Sequence, residues 1–93
     1  MSRIVFESDP RKDKLNFRKH GIYFAEAETV FLDENAKLID DPDHSDDAER
    51  FIMLGLSSNL RLLVVCHCYR GENGVVRFIS ARKATKPEAK QYI

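Results

Sequence analysis

Residues 61–69 have the sequence RLLVVCHCY, in which almost every position is apolar. A strand that is apolar on both of its faces is typical of the centre of a sheet, where layers on either side exclude water. We therefore predict a central strand over 61–69, with its middle buried from Leu62 to Cys66. Its predicted companions in the core are Phe6, Leu15, Phe31, Phe51, Met53, Phe78 and Ile79.

Shorter strands surround this run and are separated from it by turn residues. RGENG, residues 70–74, predicts a turn after the central strand, and SSNL, residues 57–60, predicts a hairpin turn before it. The acidic segment DDPDHSDD, residues 40–47, has a proline in its middle and interrupts the strand pattern. The other predicted strands span 3–7, 36–40, 50–57 and 75–83.

Capping residues mark where helices begin and end. Asp9 and Pro10 are typical of a helix start, and Gly21 is placed to end that helix in a left-handed conformation. Thr85 and Glu88 have the spacing of a capping box, which predicts a terminal helix. The predicted helices span 10–20, 24–32 and the segment that follows Thr85.

The first two predicted helices differ in how they can pack. The apolar face of the first is thin, mainly Leu15 and Phe17, whereas residues 24–32 place apolar side chains at helical spacing. The element order is β-α-α-β-β-β-β-α, which predicts the α+β class with a small antiparallel sheet flanked by helices. Since 93 residues provide material for one hydrophobic core, we expect a single domain over 1–93.

Composition and charge restrict the function classes. The formal net charge is zero, yet basic residues collect in 11–19 and 82–90, and acidic residues in 40–49. Segregated signs allow a basic surface that binds phosphates. No apolar run could span a bilayer and no signal peptide is visible, so we expect a cytoplasmic protein without a membrane partner. Cys66 and Cys68 lie two apart in a strand and cannot pair, which fits a reducing compartment.

Several motifs resemble a known family. The run SDPRKDKLNFRKHGIYFAEA at 8–27 contains DP, KHG and F-x-E-A in the arrangement found in BrnT-type toxins. ERFIMLG at 49–55, LLVVCHCYRG at 62–71 and VRFISARKAT at 76–85 are similar to the family at the same relative places. The resemblance covers almost the whole chain. Ser8 departs from it, since an aromatic residue is more usual there, as do the two cysteines.

This resemblance implies a fold, an activity and a partner. It implies a RelE-like ribonuclease fold and cleavage of RNA, without a metal or other cofactor, that arrests growth. It also implies a ribbon-helix-helix antitoxin of the BrnA kind encoded beside the toxin, so that contact with DNA occurs only through the antitoxin. We expect a segment of the antitoxin to cover the cationic site, with acidic side chains in place of phosphates. The alternative is an antitoxin that binds away from the site and restrains the enzyme indirectly.

Cleavage of RNA by its own ribose 2′-hydroxyl needs a base, an acid and cations around the pentavalent phosphate. Imidazole exchanges protons near neutral pH, and the planar fork of arginine can hold two phosphate oxygens. The catalytic candidates are His67, Tyr69, Arg77, Arg82 and His20. We expect His67, Tyr69 and one arginine to meet in an open concavity. Alternatively, His67 is a core histidine bonded to backbone, and the arginines form surface ion pairs.

The register of the last hairpin decides which arginine lies beside His67. One register places it opposite Arg77; the other, with a two-residue turn at 73–74, places it opposite Ser80 and on the face of Arg82. Both registers put an arginine beside the histidine. Arg77 and Arg82 are five residues apart, so a regular strand points them to opposite faces, and only a bulge would unite them.

Further polar residues are candidates for binding the RNA backbone, because the affinity of a neutral protein for RNA depends on local charge. They lie on the first helix and on the last two strands: Arg11, Lys14, Arg18, Lys19, Arg70, Ser80 and Lys83. Lys19 and His20 end the first helix, where the helix dipole stabilises cations, so capping alone also explains both.

Two other function classes compete with the enzyme. A non-catalytic module that binds RNA or protein through the basic helix is compatible with the residue spacing. A metal-binding regulator is disfavoured, because Cys66 and His67 point to opposite faces of a strand and no second ligand pair follows. His44 lies in the acidic segment, where the adjacent Asp43 and Ser45 cannot form a catalytic relay with it.

Overall fold

The computed structural model describes residues 4–39 and 50–92. Its strands are β1 (Phe6–Glu7), β2 (Lys37–Ile39), β3 (Phe51–Leu56), β4 (Leu62–Arg70) and β5 (Val75–Lys83). Its helices are α1 (Pro10–His20), α2 (Phe24–Val30) and α3 (Lys86–Ala89), followed by a 3-10 turn over Lys90–Tyr92. The predicted order β-α-α-β-β-β-β-α is confirmed. The acidic segment at 40–47, with His44, lies outside the described residues.

The five strands of the described residues form one sheet in the order β1-β5-β4-β3-β2, so β4 is the central strand, as predicted. Antiparallel pairs join β2 to β3, β3 to β4 and β4 to β5. β1 instead runs parallel to β5, with Phe6 paired to Val76. The predicted α+β fold with an antiparallel sheet is therefore confirmed for β2 to β5, and the β1 edge makes the sheet mixed.

Alternate residues of β4 point into two different cores. Leu63 and Val65 face α2, in a cluster completed by Ile22, Phe24, Ala27, Val30, Val76, Phe78 and Ala81. Val64 and Cys66 face the other side, in a cluster with Ile52 and Leu54 that Tyr92 covers in part. The sheet thus has α2 on one face and the C-terminal segment on the other, which explains why β4 is apolar in nearly every position.

Three residues that we expected in the core lie at the surface. Leu15, Phe51 and Ile79 are 60%, 36% and 37% exposed. The other predicted core residues are buried or half-buried: Phe6, Phe31, Met53 and Phe78. Within the central strand, Leu62 is half-buried, and the residues from Leu63 to Cys66 are buried as predicted. Hydrophobicity alone therefore identified the central strand but not every residue that packs on it.

Helix α1 packs on β5 through a polar residue rather than through the predicted apolar face. Phe17, like Leu15, is exposed, and its ring stacks on Tyr23 with centroids 3.9 Å apart. Asn16 is the buried residue of α1. Its side-chain amide donates to the carbonyl of Ala81 at 2.9 Å and accepts from the Ala81 N–H at 3.0 Å. These two bonds are the ones that a neighbouring strand would otherwise make with Ala81. Asn16 therefore satisfies the edge of β5 beyond the end of β1.

The ends of α1 are formed by the predicted capping residues. Asp9 Oδ1 accepts the N–H two residues later at 2.9 Å, and Gly21 adopts a left-handed φ of 75° while its N–H donates to the carbonyl of Phe17. Asp13 Oδ1 then accepts the N–H of Phe24 at 2.8 Å, which ties the start of α2 to α1. The last turn of α1, with Lys19 and His20, is therefore fixed relative to the sheet.

Candidate active site

The β4–β5 hairpin has neither of the two expected registers. His67 pairs with Phe78 rather than with Arg77 or Ser80. The strands are joined by a loop over 71–74, whose first and last residues are glycines with left-handed φ of 72° and 65°. The sequence did not distinguish this longer loop from a two-residue turn, because GENG offers turn-forming residues at almost every position.

A bulge in β5 changes which side chains share a face. Ile79 is an extra residue between two positions that pair with consecutive residues of β4. The extra residue brings Arg77 and Arg82 to one face of the sheet, together with Ser80. Their partners on β4 are Cys68, Cys66 and Val64. Side chains alternate along a strand, so His67 points to the opposite face from these partners. The bulge therefore unites the arginines and separates them from His67, contrary to both sequence-based registers.

His67 lies in the core on the α2 side of the sheet, with none of its surface exposed. Its Nδ1 lies 3.2 Å from the carbonyl of Val65, and its Nε2 lies 3.3 Å from the hydroxyl of Tyr69. The rings of Phe31 and Phe51 pack against the imidazole. Burial lowers the pKa of His67, which keeps the ring neutral at pH 7. The expected open concavity around His67 is absent from the described residues, and a core histidine bonded to backbone describes this geometry.

A groove of about 330 Å³ runs between α1 and β5, and we call it the α1–β5 groove. It is lined by Lys12, Leu15, Asn16, Lys19 and His20 of α1 and by Ile79 and Ser80 of β5. His20 is half-buried, and its pKa is lowered first by this burial and then by the positive charges of Lys19 and Arg82. Arg82 therefore lies close enough to His20 for the two charges to interact.

Of the predicted site residues, Lys19, His20 and Ser80 line this groove, and Arg82 lies near His20. The first two come from the end of α1 and the other two from the second half of β5. The hydrogen bonds of Asn16 hold these two segments together. A neutral imidazole beside a guanidinium and an ammonium supplies a proton acceptor and the cations that a phosphoryl reaction needs.

A known family combines these motifs with this fold. The sequence profile described as "Ribonuclease toxin, BrnT, of type II toxin-antitoxin system" matches residues 9–88. The chain belongs to the BrnT family of ribonuclease toxins. Its structure is similar to the crystal structure of the Brucella abortus ribonuclease toxin BrnT, with a TM-score of 0.65 and 25% identity, covering 92% of this chain and 100% of that one. Among curated proteins, none matches this chain significantly. The RelE-like relationship stays a prediction.

In this BrnT-family chain, the C-terminal helix holds the guanidinium of Arg82. The two terminal nitrogens of Arg82 donate to the two carboxylate oxygens of Glu88 at 2.7 Å each. Glu88 also accepts the N–H of Thr85 at 2.8 Å and so completes the predicted capping box. Mainly through the Arg82 contact, the pKa of Glu88 is lowered to about 2. The sequence identified Glu88 only as a capping residue, because its contact with Arg82 depends on how α3 folds back onto β5.

The remaining candidates of this BrnT-family chain lie outside the groove. Four basic residues are exposed on α1 and at the end of β5: Arg11, Lys14, Arg18 and Lys83. Arg70 Nη1 lies 3.5 Å from a carboxylate oxygen of Glu7 in an exposed ion pair. Tyr69 is 47% exposed, and Arg77 is half-buried. These residues are therefore accessible in whole or in part, but they do not line the groove.

Neither a metal site nor a membrane span is visible in the described part of this BrnT-family chain. Within residues 4–39 and 50–92, no three His, Cys, Asp or Glu side chains are arranged to hold a metal ion. Cys66 and Cys68 do not form a disulfide, as their spacing indicated. In the same ranges, every helix is too short or too polar to cross a bilayer.

Proposed function

We propose that this chain is an endoribonuclease that cleaves RNA by attack of a ribose 2′-hydroxyl on the adjacent phosphate, without a metal ion. Its activity arrests growth in the cytoplasm, where the RNA is. Membership of the BrnT family supplies the ribonuclease class. The observation that supports this mechanism is that Lys19, His20 and Ser80 line the α1–β5 groove, with the positive charge of Arg82 near His20.

His20 is our candidate for the general base. Because its pKa is lowered, the imidazole is neutral at pH 7 and accepts the proton of the 2′-hydroxyl as that oxygen bonds to phosphorus. Arg82 stabilises the additional negative charge on the phosphate, and Glu88 keeps its guanidinium in a fixed plane. The bond from phosphorus to the 5′-oxygen then breaks, and that oxygen takes a proton from Lys19 or water. The products are a 2′,3′-cyclic phosphate and a 5′-hydroxyl.

The other predicted site residues have supporting roles in this proposal. Arg77 shares a face of the sheet with Arg82 and contacts a neighbouring phosphate. The exposed cations bind the rest of the RNA backbone: Arg11, Lys14, Arg18, Arg70 and Lys83. His67 has no exposed surface, so its role is to support Tyr69 through their hydrogen bond rather than to exchange protons with RNA.

Cleavage of labelled single-stranded RNA by the purified protein in EDTA tests the mechanism. We expect cleavage to persist and to leave cyclic phosphate ends. His20→Ala and Arg82→Ala should each lower the rate by about 100-fold or more. Lys90→Ala, which removes an exposed cation that does not line the groove, should leave the rate unchanged. Activity that EDTA abolishes and Mg²⁺ restores would contradict the metal-independent mechanism, and a fully active His20→Ala would contradict the base.

We further propose that a ribbon-helix-helix antitoxin of the BrnA kind neutralises this chain, which contacts DNA only through it. The family belongs to toxin–antitoxin systems, and the cationic groove suits a segment with acidic side chains. In a mobility-shift assay with operator DNA, the complex should bind and the chain alone should not. Lys19→Glu and Arg82→Glu should weaken antitoxin binding. Operator binding by the chain alone, or antitoxin affinity indifferent to both reversals, would contradict this part.

A further inference from the structure

The lining of the α1–β5 groove includes aliphatic as well as cationic side chains. Leu15 and Ile79 approach it from α1 and β5, and they remain 60% and 37% exposed. Ile79 is the extra residue of the β5 bulge, a feature that redirects a side chain relative to a regular strand. The proposed phosphate chemistry needs neither aliphatic side chain. An apolar interior with a few polar groups is typical of a site for a ligand with apolar faces.

We propose that Leu15 and Ile79 form a subsite that holds one nucleobase of the RNA between them. This subsite rests on the proposed ribonuclease function, because His20 and Ser80 line the same groove. A base seated between the aliphatic side chains would have its own phosphate beside His20 and Arg82. Ring faces and phosphates alternate along single-stranded RNA, and the groove lining offers both aliphatic side chains and cations.

The cations in the groove lining favour RNA over an uncharged ligand. Lys12 and Lys19 lie one on each side of Leu15 along α1, three and four residues away respectively, and all three line the groove. Residues at that spacing project from neighbouring positions of one helix face. A base on Leu15 would therefore be flanked by two ammonium groups, each within the same groove as the phosphates of the seated nucleotide. These contacts predict binding that weakens with salt, in addition to a salt-insensitive contribution from the base.

The groove has few groups that can distinguish one base from another. The amide of Asn16 is occupied, since its Nδ2 donates to the carbonyls of Ile22 and Ala81 and its Oδ1 accepts from Ala81 N–H. Apart from His20, the proposed base, Ser80 is the other uncharged polar residue in the groove lining. A hydroxyl both donates and accepts hydrogen bonds, so it fits the edge of any base. We therefore expect the subsite to require a base but to discriminate weakly among the four.

Binding of RNA oligonucleotides with a single abasic site, moved one position at a time, tests the subsite. The oligonucleotides carry 2′-deoxyribose at the cleavage positions, so that they bind without being cut. For the wild type, one abasic position should weaken binding by about fivefold. Leu15→Ala should weaken binding of the intact strand similarly and leave that abasic strand unaffected. Leu15 is an exposed helix residue, so replacing it by alanine should not prevent folding.

Leu32→Ala is the matched control, because Leu32 is 79% exposed and does not line the α1–β5 groove. It should bind both strands like the wild type. Equal binding of all abasic strands, or an equal loss by Leu15→Ala for intact and abasic strands, would overturn the subsite. If the Leu15→Ala variant loses affinity for the antitoxin but keeps its affinity for RNA, the subsite is overturned too. Leu15 and Ile79 would then bind the protein partner.

The two proposals fail in distinguishable ways. An abasic effect without any RNA cleavage would contradict the proposed ribonuclease mechanism alone. RNA cleavage without an abasic effect would contradict the subsite alone. A Lys12→Ala variant separates the charge contribution, since its loss of affinity should disappear at high salt while the loss in Leu15→Ala persists.

Discussion

His67 and His20 both have a lowered pKa, yet they lie in opposite environments. Burial lowers the pKa of His67, and only a backbone carbonyl opposes it. For His20, partial burial acts together with the positive charges of Lys19 and Arg82. The first ring is enclosed by core residues, whereas the second lines an open groove. A histidine with a perturbed pKa is therefore a good catalytic candidate when charged neighbours and an accessible surface accompany its burial.

The strongest test of this comparison replaces each histidine by a residue of similar size. His20→Gln removes the proton acceptor and should lower RNA cleavage by about 100-fold. His67→Phe keeps an aromatic ring in the core and should change cleavage by less than about threefold. Initial rates at equal concentrations of folded protein, determined by circular dichroism, provide the measurement. If His67→Phe folds normally but is inactive, the two histidines have been assigned the wrong roles.

Replacing Asn16 tests how His20 is held at the groove. Asn16→Ala leaves the N–H and carbonyl of Ala81 without side-chain partners, which should cost about 2–4 kcal/mol of unfolding free energy. Asn16→Asp keeps an acceptor but loses the donors, so it should also destabilise. Leu15→Ala on the same helix should change stability by less than about 0.5 kcal/mol. Urea unfolding measures all three, and unchanged stability in Asn16→Ala would show that α1 does not depend on this contact.

Glu88→Gln tests whether the groove needs a fixed guanidinium. Arg82 keeps its charge but loses its ionised partner, so kcat should fall by about tenfold while KM changes little. Lys86→Ala alters an exposed neighbour in α3 and serves as the control. Steady-state kinetics on RNA separate the two parameters. A faster Glu88→Gln enzyme would mean that the carboxylate competes with the phosphate for Arg82.

The pH dependence of stability should show two steps. The folded-state pKa values of His67 and His20 lie below the ordinary 6.5, so the unfolded chain binds protons more readily and stability falls as pH drops below about 6.5. Glu26, paired with Arg61, and Glu88 have pKa values lowered to about 2. Their stabilisation is full above about 4.5 and is lost as pH falls towards 2.

Unfolding free energies measured in urea across this pH range provide the test. His67→Phe should reduce the step near pH 6.5 and leave the acidic one unchanged. Adding His20→Gln should remove what remains of the first step. A first step that persists in the double variant would have to arise from other groups.

We expect the smallest effect on RNA binding from the exposed cations of α1 that do not line the groove, such as Arg18. Arg18→Ala removes one exposed charge and should weaken RNA binding only a few-fold, while lowering the slope of log K against log salt by about 0.7. Lys90→Ala again serves as the control, and its slope should match the wild type. A salt titration by fluorescence anisotropy measures both. An unchanged slope in Arg18→Ala would exclude this face from the RNA path.

Local chemistry explains what the sequence predicted correctly. The apolar run at 61–69 identified the central strand, and Asp9, Gly21 and Thr85 marked helix ends that the structure contains. Motifs along the chain also indicated the BrnT family. Each of these features depends on residues near one another in sequence. The candidate list likewise included His20 and Arg82, because histidine and arginine are chemically suited to phosphate chemistry wherever they lie.

Which candidates act together depends on how distant segments pack. The length of the 71–74 loop and the bulge at Ile79 set the β4–β5 register, and so place the arginines on the face opposite His67. Asn16 brings the end of α1 to β5, and so places His20 near Arg82. Propensity and periodicity report on neighbours in sequence, whereas strand register and helix placement depend on hydrogen bonds and packing between distant segments. Local sequence therefore specifies the helices, the strands and the reactive groups, whereas packing between distant segments assembles the site.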